Sequence, residues 1–145
     1  MAQLDVELIL ARHLVSRLAV PVLLVDARGD TLFFNEPAGR ILGRRFEDFE
    51  AMPFEARTTM LAPRDEGGEA LSPHHLPGMV AMRERRPAHA AFQIHNADGV
   101  LQAIEATAIP LEGAGGQILG AMVVLWVRPA TGGDAPDADE TRASA

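Results

Sequence analysis

The chain has 145 residues, 20 acidic side chains against 13 basic, and no Cys, Tyr or Lys, so every basic residue is Arg. Without Cys there is no disulfide, thiolate metal site or thiol nucleophile, and without Lys no Schiff base and no phosphate-loop lysine. A net charge of −7 opposes the basic surface that nucleic acid requires, so no nucleic-acid partner is expected.

In chain order, the first element is an amphipathic helix from Leu4 to Leu18. Leu4, Leu8, Ala11, Val15 and Leu18 repeat at spacings of four and three, while Asp5, Arg12, Ser16 and Arg17 lie elsewhere. Leu10 and Leu14 widen the stripe, which must pack on the chain's own sheet or on a second subunit. Pro21 ends the helix. Val22–Asp26 and Thr31–Phe34 then flank Ala27-Arg28-Gly29 as strand, turn and strand. Asn35 is a suitable N-cap, Pro37 fits a first turn, and Gly43 closes a short helix over Ala38–Leu42. Residues 46–52 suit a further short helix, and Ala62 to Gly68 reads as a loop. Ser72-Pro73 starts a helix running through Met79–Arg85, with Arg83, Arg85 and Arg86 favourable at its C-terminal end and Pro87 stopping it. The period then falls to two. His89–Asn96, Val100–Leu111 and Gln117–Val127 are joined by Asp-Gly and Gly-Gly turns, so the sheet should be mostly antiparallel. Ala121 to Val127 is apolar on both faces and should be a central strand covered on both sides.

From Pro129 to Ala145 four acids oppose one Arg among small residues, Gly and Pro, a composition expected to stay disordered. No apolar run approaches the ~18 residues of a membrane span, and the N-terminus lacks a signal peptide's basic region and cleavage site. A soluble cytoplasmic protein without membrane association is expected.

Several segments together resemble a known family. Pro21-Val22-Leu23-Leu24-Val25-Asp26-Ala27-Arg28-Gly29, Leu32-Phe33-Phe34-Asn35-Glu36-Pro37-Ala38 and Leu42-Gly43 are similar to the opening of a PAS domain. Leu76-Pro77, Arg86-Pro87, Asp98-Gly99, Ala108-Ile109-Pro110-Leu111 and the run from Gly116 to Gly120-Ala121 are similar to its second half. The resemblance covers residues 18–127 and implies an α+β fold: a PAS-like five-stranded antiparallel sheet with short helices over one face. It further implies a ligand cleft between sheet and helices, and an N-terminal amphipathic helix that caps the other face or dimerises. The expected organisation is residues 1–18 as that helix, 19–128 as the sensory domain and 129–145 as the tail. Many PAS domains end on Asp-x-Thr leading to an effector; Leu125-Trp126-Val127-Arg128-Pro129 stands here instead, so no effector of its own is expected.

With no Cys, the five histidines are the candidate metal or haem ligands in this sequence. His89 and His95 share a strand face but lie ~20 Å apart, too far for one ion. His13 falls on the polar side of the first helix. His74 and His75, adjacent at a helix start, diverge by about 100°. Haem-binding PAS domains take an axial His from the helix facing the cleft, so His75 or His74 is the residue the resemblance would assign to haem. The same resemblance, with no Cys present, excludes the cysteinyl flavin adduct and the Cys-linked hydroxycinnamate chromophore; non-covalent flavin stays open. Gly113-Ala114-Gly115-Gly116 joins two strands and is a turn, not a phosphate loop. Glu47-Asp48 and Asp65-Glu66 are solvated neighbours, and no Gly-x-Ser-x-Gly or His-Glu-x-x-His occurs, so no catalytic site is expected. Ala103, Ala106 and Ala108 leave space over the sheet for a ligand or for close helix packing.

These readings converge on a PAS-type sensory and protein-interaction module in signal transduction, binding a small ligand or a partner protein. A homodimer is expected through Leu4, Leu8, Ala11, Val15 and Leu18 with the outer sheet face, where Trp126 serves either as packing under the helix or as an interface anchor. The alternative is a haem-binding gas or redox sensor.

Overall fold

The one apolar run without alternation forms the middle of the sheet. A computed structural model describes residues 6–48 and 53–129. In it α1 (Val6–Val15) precedes β1 (Val22–Asp26), β2 (Thr31–Phe34) and α2 (Glu36–Leu42), followed by α3 (Phe54–Leu61) and α4 (Pro77–Glu84). Three longer strands close the fold: β3 (Ala88–His95), β4 (Leu101–Glu112) and β5 (Ile118–Val127). They make one five-stranded antiparallel sheet in the order β2-β1-β5-β4-β3, with β5 central as its composition requires. Single 3₁₀ turns occur at Phe46–Asp48, Pro73–His75 and Ala114–Gly116.

Alternation along β1 divides the core. Leu23 and Val25 face α2, α3 and α4 on the inner side, within clusters that include Phe34, Leu42, Phe92, Ile104 and Val123. Val22 and Leu24 face the outer side, where they meet Val15, Ala11 and Leu18. Strands β1 and β5 approach closely at Gly120, where a Cβ would lie 2.0 Å from the Val25 carbonyl oxygen, so no larger residue fits there. Ala106 and Ala108 are fully buried in one cluster with Ala81 of α4. Their small size therefore serves close helix packing, not a cavity.

Asn35 joins the two layers. Its Oδ1 accepts from the backbone N–H of Val22 (3.0 Å) and of Ala38 (3.1 Å), the second bond capping α2 as its position suggests. Its Nδ2 donates to the carbonyls of Val15 (3.1 Å) and Val20 (2.8 Å), with a longer contact to Leu18 (3.4 Å). One buried amide thus satisfies the end of α1, the start of β1 and the start of α2.

Two expectations are corrected here, and a third finding is new. The first helix is shorter at its C-terminal end, stopping at Val15 where Ser16 and Arg17 continue as a turn. The helix expected from Ser72 through Arg85 is broken: Leu76 is extended (φ −67°, ψ 146°), separating the Pro73–His75 turn from α4. The third is α3, a helix that hydrophobic periodicity did not indicate. Leu4, residues 49–52 of the expected short helix, and the tail from residue 130 lie outside the described residues.

Candidate functional site

A cavity of about 70 Å³ lies between the inner sheet face and the helices. Its sheet wall is Leu23, Val25, Phe92, Ile104, Val123 and Leu125. Across from it stand Leu42 of α2, Leu61 of α3 and Leu76 through Met79 at the start of α4. The turn after β1 shapes this region as well. Gly29 (φ +90°) lies close to Phe54 and Met79, where a Cβ would meet both side chains at 2.9 Å.

Only two lining side chains are polar, Arg57 and Thr58, both from α3. The Thr58 hydroxyl donates to the Glu55 carbonyl (3.2 Å). Arg57 is 6% exposed, its Nη1 donates to Thr31 Oγ1 (2.8 Å), and its guanidinium lies 5.5 Å from the Phe54 ring centroid. Burial pushes its pKa down to about 10, against the opposing pull of Asp30 and then Asp26. Neither acid lies within ion-pair distance of it among the described residues, and both are otherwise engaged. Asp30 accepts from the Phe54 N–H and faces Arg28, and Asp26 accepts from the N–H groups of Arg28 and Asp30. At neutral pH Arg57 is therefore a charged group under the helices, on the wall of an otherwise apolar space. Sequence reading missed it because nothing local marks a lone Arg in a polar stretch as buried.

The residues singled out from the sequence fall elsewhere. His74 and His75 are exposed on the Pro73–His75 turn and line no part of the cavity; His74 packs beside Phe54 at 5.9 Å between ring centroids. Neither is therefore placed to meet a group held in that cavity. The cavity also falls well short of the roughly 300 Å³ at which pockets for drug-sized ligands begin, so the residues present do not fit haem. Leu8 and Val15, expected at a subunit interface, are both buried within the chain, Val15 against the outer sheet face with Ala11 and Leu18 partly buried beside it. The exposed apolar face of α1 is a different set: Val6, Ile9, Leu10 and Leu14, each more than half exposed. Trp126 is not covered by α1; it is 40% exposed on the outer face, 5.8 Å from the His89 ring. His89 in turn meets Thr107 Oγ1 (2.7 Å) through Nδ1 and Glu105 Oε1 (3.1 Å) through Nε2. This trio lies on the open sheet and lines none of the cavities described. Among the described residues no group of three or more His, Asp or Glu is placed to hold a metal ion, and no helix is long and apolar enough to cross a membrane.

Comparison with solved structures identifies the architecture. The PAS domain of a Colwellia psychrerythraea protein matches with TM-score 0.62 at 17% identity over 83% of this chain and 96% of that one. The PAS domain of Bordetella pertussis BvgS matches with TM-score 0.59 at 14% identity, over 86% of this chain and 88% of that one. The Vibrio cholerae VqmA dimer, described among LuxR-type receptors, matches with TM-score 0.56 at 17% identity, over 88% of this chain and 52% of that one. No protein-family model matches the chain, and no curated protein matches it in sequence. The fold is the PAS fold, as the sequence resemblance implied.

Proposed function

We propose that the chain is a PAS-type sensory module in signal transduction, holding a small ligand between the inner sheet face and the helices and acting through protein contacts, foremost with a second copy of itself. The observation that carries this reading is the cavity bounded by helices and sheet, with one ionised side chain on its wall. A ligand there can shift the packing of the helices on the sheet only by binding two packings with different affinity. The role is sensory, not catalytic, in the cytoplasm, without nucleic acid or membrane as partner.

The dimer reading is supported by α1. A ten-residue helix with buried Leu8 and Val15 on one side and exposed Val6, Ile9, Leu10 and Leu14 on the other is apolar on two faces, more than a solvated surface helix carries. The exposed four fall at spacings of three, one and four, which places them on one stripe. Light scattering should give twice the chain mass for the wild type and the single mass for the double variant Leu10→Glu/Leu14→Glu. A monomeric wild type, or an unchanged mass in the variant, refutes the dimer. Absorption spectroscopy of freshly purified protein tests the haem alternative, for which a Soret band lost on His75→Ala or His74→Ala would be required; no such band is expected.

A further inference from the structure

We infer that the cavity takes a short aliphatic monocarboxylate, its carboxylate paired with Arg57 and its hydrocarbon chain against the apolar wall. The inference rests on the reading of this cavity as a ligand site and names the chemistry of the occupant.

Three observations carry it. First, Arg57 has donors to spare. A guanidinium offers five N–H groups in a planar fork that matches a carboxylate, and one bond, to the neutral hydroxyl of Thr31, is its only hydrogen bond among the described residues. Second, no carboxylate of the described residues lies within 4.0 Å of it, although it is 94% buried by area, with 6% exposed. A buried charge is ordinarily paired, and leaving one so is costly. Third, no other side chain among the described lining residues can serve an anion. Thr58 has already donated its hydroxyl to Glu55, and the other lining side chains are apolar. One cation and no further side-chain donor suits a single negative charge with a planar head better than a phosphate group with its greater charge. The volume sets the tail. About 70 Å³ is roughly half of a cavity that accepts benzene at 150 Å³, which admits a chain of a few carbons.

The test is a titration of the whole ¹⁵N-labelled protein with acetate, butyrate and butyramide, followed by amide resonances of cavity residues such as Ile104 and Val123. Butyrate is expected to bind at least ten-fold more tightly than butyramide. It should also exceed acetate by up to about four-fold for each added methylene. In Arg57→Met, whose side chain keeps similar bulk without charge, the acid and the amide should become equal. Equal binding of butyrate and butyramide to the wild type overturns the inference while leaving the cavity a ligand site. Equal binding of acetate and butyrate, or a preference for butyrate that survives in Arg57→Met, overturns it as well. Absence of any shift at the cavity with all three probes overturns the inference, and if native mass spectrometry of the purified protein also shows no retained small molecule, the ligand-site reading falls with it.

Discussion

Helices α1 and α3 are built on opposite principles. Helix α1 has an apolar stripe legible at sight, and the structure uses it as the physics demands: Val15 goes down onto the outer sheet face with Ala11 beside it, and Leu8 is buried as well. Helix α3, Phe-Glu-Ala-Arg-Thr-Thr-Met-Leu, has no such stripe, because two of its three buried side chains are Arg57 and Thr58. Its cap position holds Pro53, which has no side-chain acceptor, and the Phe54 N–H donates instead to Asp30 Oδ1 from the turn after β1 (2.7 Å). The first helix is held by burying hydrocarbon; the second presents a charge to the interior. Periodicity reports the first kind of helix and is silent on the second, and in this molecule the silent one carries the polar part of the cavity.

The contrast can be broken from either side. The largest effect is expected for Val15→Asp, which removes a fully buried side chain from the outer cluster and places a carboxylate among Val22 and Leu24. A loss of about 4 kcal/mol or more, read from urea denaturation, would match the cost of burying an unpaired charge. A loss under about 1 kcal/mol would mean that α1 does not belong to the cooperative fold. Asn35→Ala should follow at about 3 kcal/mol, since it leaves the buried Val22 N–H and the Val20 carbonyl without their partner and removes the α2 cap.

The smallest effect has the opposite sign. Arg57→Met should stabilise the ligand-free protein by about 1–3 kcal/mol, because replacing a buried charged group by an apolar one of similar volume removes its desolvation cost. Alkaline pH sharpens this. With its pKa lowered by burial to about 10 in the fold, below the ordinary guanidinium range of the unfolded chain, Arg57 binds fewer protons in the native state than in the unfolded one across that interval. Its contribution to stability therefore rises with pH from about 10 upward. The advantage of Arg57→Met over wild type should accordingly narrow between pH 9 and pH 11. The absence of Lys, Tyr and Cys leaves that window free of other side-chain titrations. A destabilised Arg57→Met at neutral pH would place Arg57 among the residues that hold the fold together, like those of α1.

How much was legible follows the same division. Val22–Asp26 and Thr31–Phe34 were read to the residue because a Gly turn and a capping Asn bracket them. The three long strands were read within one residue, and β5 was placed centrally from its unbroken apolar run. The histidines were misdirected by local geometry: Pro73 and Pro77 each restart the chain, so His74 and His75 belong to a separate turn whose side chains face outward. The helix stripe is apolar as read, and its Val15 meets the chain's own sheet, one of the two neighbours that sequence alone does not distinguish. Arg57 was illegible in principle: its role comes from Thr31, 26 residues earlier, and from the strands across the cavity.

The Asn35 amide carries one more consequence. Because a single side chain grips the last turn of α1, the entry of β1 and the first turn of α2, these three segments share one set of hydrogen bonds. Helix α2 also reaches the cavity through Leu42, while α1 lies on the opposite face of the sheet. The two sides of the sheet are thus joined by one buried amide at residue 35.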